Sequence, residues 1–260
     1  MKKISFIGTG NMGKALACAV SKSGNSELYL ANRTAKKAKD LAKMINAKYV
    51  TNTKAAECDY VFLGVKPYQI EELINEIKES FNKDIVLVSM AAGVTIEKLE
   101  KYAGDIKIIR ILPNTAVMVG EGMCLYSYNN KVSKDDIDYF LELMKYSGRL
   151  EHIDESLIDA ASSITGCGPA FADMFIDALA DAGVACGVPR KKAIEFAAQM
   201  LVGTGKLVLE TNKHPDALKD EVCSPAGSTI EGIIALEKGG FRASVIDAVI
   251  ASYNKNKKLG

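Results

Sequence analysis

The sequence predicts an α/β chain in two parts, a domain of alternating strands and helices around a parallel sheet and then an all-helical domain. Three observations carry this. Over the first 110 residues short apolar strands alternate with amphipathic helices; the strand patterns end near residue 160; and the rest of the chain reads as helix throughout. Strands nearly free of polar residues are buried on both faces, as in a parallel sheet covered by helices. A run of mixed elements succeeded by a run of helices separates into two domains. The expected boundaries are 1–160 and 161–260.

Taken in order, "KISFIG" is a strand and "MGKALACAVSKSG" a helix closed by Gly24; "ELYLAN" and "TAKKAKDLAKMIN" repeat the pair. "YVFLGV", "IVLVSMAAG" and "IKIIRIL" are further strands, with the helices "QIEELINEIKESF" and "TIEKLEKY" between them. "GMCLYSYN" and "GRLEHI" come next as strands around the helix "DDIDYFLELMKYS". After residue 160 come five helices, the second and third each with a proline near its start, Pro189 and Pro215, where the missing N–H costs nothing. Their apolar surface exceeds what one small bundle can cover, so they are expected to pack against a second subunit.

Composition narrows the function. The chain has 260 residues, 48% hydrophobic and 25% charged, with a formal net charge of +1, as in a soluble globular protein. No basic or acidic block exists beyond the short tail "NKNKKLG", so neither nucleic acid nor an anionic membrane is an expected partner. The six cysteines are scattered and never form CxxC, which excludes a clustered zinc site or redox pair; no metal is expected. "MKK" precedes too short an apolar run for a leader, so a cytoplasmic location is expected.

"FIGTGNMGKAL" stands after a strand and opens a helix within a βαβ unit, the context that a dinucleotide fingerprint needs. Gly8 permits the tight turn, Gly10 lets backbone approach a pyrophosphate, and Gly13 lets helix and strand pack closely. Asn11 and Met12 complete the loop at the helix N-terminus, whose free amides favour phosphate. The first domain is therefore expected to be a Rossmann dinucleotide-binding domain; a plain strand-to-helix turn is the alternative.

At the end of the second strand an NAD-preferring site carries Asp or Glu for the ribose hydroxyls. Here the sequence reads Asn32-Arg33-Thr34, an amide, a guanidinium and a hydroxyl suited to a 2'-phosphate. This favours NADPH, with NADH possible; an ordinary solvated arginine is the alternative. Val65-Lys66-Pro67 and Ala91-Ala92-Gly93 come after later strands and suit a wall beside the nicotinamide half, and Asn114 ends the next strand behind Pro113. A surface lysine and a plain turn are the competing readings.

In the second domain "LKDEVCSPAGSTIEGI" is the least ordinary stretch. Ser224 to Gly227 form a tight loop, and the next helix opens with Ser228 and Thr229. Ser228 with Glu231 fits a capping box, a structural role. The same geometry presents free amides for a carboxylate ligand.

"FIGTGNMGKAL", "VKP", "SMAAG", "RILPNT", "TGCGPAF", "HPDALKDEVCSPAGSTIEGI" and "LEKGGFRASVIDAVIAS" occur in an order that resembles the pyrroline-5-carboxylate reductases. The resemblance spans essentially the whole chain. It implies a Rossmann domain followed by an all-helical dimerisation domain, interlocked homodimers that often assemble into decamers, and reduction of a cyclic imine by NAD(P)H, the last step of proline biosynthesis. It also implies that Ser224, Gly227, Ser228 and Thr229 hold the substrate carboxylate, largely through backbone amides, that the Thr229 hydroxyl faces the ring nitrogen as the catalytic group, and that "TGCGPAF" lines the same cleft. Thr165, Cys167, Phe171, Ala226 and Ser228 depart from the family's usual "SGSGPAY" and "SPGGTT".

Two other readings remain. A hydroxyacid dehydrogenase of the same plan would use a helix lysine with an asparagine one turn later, but Glu210 stands one turn after Lys206. A silent NADP-binding protein would not need the 224–229 loop. No nucleophile pair or paired carboxylates offer themselves, and His152 and His214 read as structural.

Overall fold

The structure, a computed structural model, describes residues 1–257. Residues 1–167, together with the end of the last helix from Ser252, form one compact unit; residues 168–251 form another.

The first unit is built from β1 (Lys2–Ile7), α1 (Asn11–Ser21), β2 (Ser26–Ala31), α2 (Ala35–Met44), β3 (Lys48–Tyr49), α3 (Asn52–Ala56), β4 (Tyr60–Leu63), α4 (Ile70–Ile77), β5 (Val86–Ser89), α5 (Ile96–Ala103), β6 (Lys107–Leu112), β7 (Gly122–Tyr128), α6 (Lys134–Met144), β8 (Gly148–His152) and α7 (Glu155–Thr165). The sheet order is β3-β2-β1-β4-β5-β6-β7-β8. The pairs from β3 to β6 are parallel, in the Rossmann order, with the topological switch between β1 and β4.

Strand residues alternate between two apolar layers. One joins Phe6, Phe62 and Val88 to Leu16 of α1, Leu41 of α2 and Phe140 of α6. The other joins Ile7, Val61 and Leu87 to Ile70 and Ile74 of α4 and Leu99 of α5. Phe6 and Phe62 stack across β1 and β4 at 4.5 Å, holding together the two strands that flank the switch point.

Three features depart from the sequence expectation. β7 runs antiparallel to β6, reached through the short connection 113–121, and β8 pairs parallel with it. β3 and α3 span only two and five residues, too short for a periodic signal. α7, "ESLIDAASSIT", is a helix where the sequence reading placed no element; the Asp154 side chain starts it by accepting from Ser156 N at 2.8 Å.

The buried Arg110 of β6 is α7's main polar anchor. Its guanidinium, 1% exposed, pairs with Glu155 Oε1 at 3.1 Å and Asp159 Oδ1 at 2.6 Å. Glu155 Oε1 also accepts from Ile96 N, at the first turn of α5, at 2.7 Å. Two carboxylates thus offset one buried cation, and the N-terminus of α5 holds Glu155 in its charged form.

The second unit comprises α8 (Gly168–Ala185), α9 (Arg190–Thr211), α10 (Pro215–Glu221), α11 (Ser228–Lys238) and α12 (Phe241–Asn256), whose last turn belongs to the first unit. Only Ala180, Ala193 and Ala197 are buried hydrophobic residues here, while Met174, Phe196, Leu209 and Ile246 are 73%, 60%, 64% and 57% exposed. Arg242 ties the unit's C-terminal half together by bonding Asp216 of α10 at 3.1 Å and Glu237 of α11 at 2.6 Å. The Arg242 hydrogen bond holds the Asp216 carboxyl below its usual pKa.

Candidate functional site

A cleft of about 880 Å³ opens at the C-terminal ends of β1, β2, β4 and β5. Ligands of open parallel sheets bind at this position, beside the switch point. Gly8, with φ +100°, turns the chain out of β1, and a Cβ there would lie 2.7 Å from the Gly64 carbonyl carbon. A Cβ on Gly13 would overlap the Gly8 carbonyl oxygen, and one on Gly64 would reach it at 2.5 Å. The three glycines thus let α1, β1 and the end of β4 meet backbone to backbone. Gly10 differs: the space where its Cβ would stand is open.

The remaining expected cofactor residues divide clearly. Gly8, Gly10, Asn11, Met12, Asn32, Arg33, Thr34, Val65, Lys66, Pro67, Ala91 and Ala92 line the cleft. Gly13 does not, because it is packed beneath Gly8; Gly93 comes after the lining pair in a left-handed turn at φ +75°. Asn114 does not either: its Nδ2 donates to Thr165 O at 3.0 Å and its Oδ1 accepts from Met123 N at 3.2 Å. The Asn32 amide braces the mouth by accepting from Thr9 N at 3.1 Å and donating to Thr34 O at 3.1 Å.

The cleft fits a phosphorylated dinucleotide on its own chemistry. The N-cap of α1 is Gly10, with no side chain covering the first-turn amides. Thr9 Oγ1 is buried without a partner at the same loop, a cost that a ligand oxygen would remove. Arg33 is exposed at the rim and makes no ion pair among the described residues. Sequence reasoning missed Gly64, Asn52 and Glu76. Asn52 lies in the cleft wall and donates to the Glu76 carboxylate at 3.1 and 3.3 Å; both come from short or exposed segments without a distinctive pattern.

In the second unit Gly227 N donates to Ser224 O at 3.0 Å, closing a turn with Pro225 second and Ala226 third. Ala226 has φ +58°, which this turn type demands at its third position. The N-cap of α11 is Gly227, and no side chain caps the helix, so the expected Ser228–Glu231 capping box does not form. Gly227 lies in the extended region at ψ 165°, which pushes Ser228 into the first helical position. The Gly227 amide is consumed by the turn, leaving the first-turn amides of Ser228 and Thr229 without an acceptor among the described residues. Thr229 is exposed, and Ser224 stands at the head of the same turn.

His214 caps α10, its Nδ1 accepting from Asp216 N at 3.2 Å, and His152 packs on Tyr126 and Tyr128 with centroids 5.4 and 5.0 Å apart. Among the described residues no cluster of metal-ligating side chains forms, and no helix is long and apolar enough to cross a membrane.

Comparison with known proteins gives this geometry its context. Residues 155–259 match the family described as pyrroline-5-carboxylate reductase dimerisation, and residues 3–93 match the NADP oxidoreductase, coenzyme F420-dependent family. The chain is 42% identical over 264 residues to the pyrroline-5-carboxylate reductase of Escherichia coli strain K12, covering 99% of this chain and 98% of that one. It is 35% identical over 262 residues to the Arabidopsis thaliana enzyme of the same name, covering 99% and 95%. Among solved structures, Plasmodium falciparum pyrroline carboxylate reductase with NADP bound superposes at a TM-score of 0.90, with 32% identity and 100% and 98% coverage. With a Rossmann cleft at one end, a helical dimerisation segment at the other and full-length relatives of one kind, the chain belongs to the pyrroline-5-carboxylate reductase family.

Proposed function

We propose that this protein reduces 1-pyrroline-5-carboxylate to L-proline with NADPH, the last step of proline biosynthesis, with NADH a poorer donor. The observation that supports this best is a pairing within a chain of this family. The dinucleotide cleft has no carboxylate directly after β2, and a separate turn, 224–229, leaves two amides and a hydroxyl free.

In this reading Gly10, Asn11 and Met12 receive the pyrophosphate at the N-terminus of α1. Asn32, Arg33 and Thr34 receive the 2'-phosphate, while Val65, Lys66, Pro67, Ala91 and Ala92 form the wall toward the nicotinamide. When bound, the cofactor supplies the hydride that enters the imine carbon. The chain's own residues bind and orient the imine. The Ser228 and Thr229 amides take its carboxylate, with Ser224 and Gly227 shaping the turn that aims them. The Thr229 hydroxyl hydrogen-bonds the ring nitrogen, which ends protonated by a proton relayed from water. A threonine is a poor acid, but an iminium is a good hydride acceptor, so positioning rather than strong acid catalysis carries the step.

The exposed apolar faces of α8, α9 and α12 support a homodimer through interlocked helices, since a single copy buries only three alanines there. Assembly into a decamer and a cytoplasmic location come from the family reading. Following NADPH oxidation with the cyclic imine and, in parallel, with a short 2-oxo acid tests the function. Turnover of the imine alone, with proline as product, is the expected result; turnover of the oxo acid alone would move the protein to the hydroxyacid dehydrogenases.

A further inference from the structure

We infer that Asn114 is a positioning residue that fixes the end of α7, and with it the Thr165–Cys167 segment, for the reduction of the imine. The inference rests on the function proposed above and reassigns a residue first expected to touch the cofactor.

Four observations lead to it. Asn114 lies outside the cleft, and both ends of its amide are used within the chain, by Thr165 O at 3.0 Å and by Met123 N at 3.2 Å. α7 is held at its other end by Arg110, from the strand that leads into Asn114, through Glu155 and Asp159. The chain leaves the first unit immediately after α7 and rejoins it at Ser252, and on that return Asn256 Nδ2 donates to Ser163 Oγ at 3.3 Å. Thr165 Oγ1 is buried without a partner, so the segment's own side chain does not fix it.

The chain thus leaves for 168–251 directly after the last turn of α7, and on its return Asn256 bonds back to that turn. Asn114 supplies that turn with a side-chain tie to the sheet that bears the cofactor cleft. An asparagine suits this place because one side chain must donate to a carbonyl and accept from an amide about nine residues along the chain from itself. An aspartate keeps the acceptor and loses the donor, which isolates the tie to Thr165.

The test is Asn114→Asp, read in three ways. Hydrogen exchange is expected to speed up in peptides covering 160–168 and stay unchanged in the glycine loop 8–13. The Kd for NADPH in the binary complex, from fluorescence titration, should stay within about twofold of wild type, while KM for the imine rises about tenfold or more. Parallel weakening of NADPH binding would overturn the inference in favour of a direct cofactor contact. Unchanged exchange, or unchanged KM, would overturn it as well. Absence of imine turnover by the wild type would instead sink the functional reading. Should Asn114→Asp fail to fold, Asn256→Ala removes the bond to Ser163 at the half-buried end of α12, and the same split between KM and Kd is expected.

Discussion

Ala226 is one of three non-glycine residues with positive φ among the described residues, at +58°, and the resembling family usually has glycine at this point of the turn. The left-handed region costs a residue bearing a Cβ about 1–2 kcal/mol. Ala226→Gly removes that cost but returns about 0.4–1 kcal/mol through the freer unfolded chain. The net expectation is a stabilisation of about 0.5–1 kcal/mol, or a rise in Tm of about 1–4 °C for a chain of this size. The turn keeps its hydrogen bond from Gly227 N to Ser224 O, so the site proposed for the imine keeps its shape. Thermal and urea unfolding at one fixed protein concentration measure the change, since association contributes to stability. Gly227→Ala is the opposing control. Its Cβ would overlap Ser224 Oγ and lie 3.0 Å from Ser224 O, so it should destabilise by roughly 1–3 kcal/mol. An Ala226→Gly protein less stable than wild type would refute the turn geometry on which the proposed substrate site rests.

Thr229→Ala should lower kcat/KM for the imine by roughly tenfold to a thousandfold, about 1.4 to 4 kcal/mol, with NADPH binding intact; unchanged kinetics would remove the hydroxyl from the mechanism. Gly10→Ala places a methyl in open space facing the cleft, so it should fold normally and lose NADPH affinity in titration, whereas Gly13→Ala should unfold at lower temperature because its methyl meets the Gly8 carbonyl. Arg33→Ala should raise KM for NADPH about tenfold to a hundredfold and leave KM for NADH nearly unchanged, as expected for a lost charge-assisted bond. Burial pushes the Cys58 thiol up to about 11 and Cys124 up to about 12, so a thiol reagent at pH 8 should label both only after denaturation; rapid native labelling of either would contradict their burial.

The cleft at the strand ends was legible because its features are written in local patterns. Glycine spacing after an apolar strand, and the absence of a carboxylate after the next strand, depend on neighbours in sequence. The Thr229 turn was legible too, although its cap was not. Whether Ser228 or Gly227 begins α11 depends on the left-handed Ala226, and no pattern of residue types fixes that. α7 escaped because its helix is held by Arg110, which lies 45 and 49 residues away from its two partners. Gly64 escaped for the same reason: its need for a bare backbone appears only when β4 is laid beside the glycine loop. Asn114 shows the converse, a residue in a suggestive place whose side chain is already spent.

In the proposed function one chain joins an NADPH cleft to an imine-binding turn. Steady-state kinetics with pyrroline-5-carboxylate and each nicotinamide cofactor test it most directly. Proline formation with a higher kcat/KM for NADPH than for NADH is predicted, and Arg33→Ala should erase most of the difference. A clear preference for NADH in the wild type, or no proline with either cofactor, would contradict it.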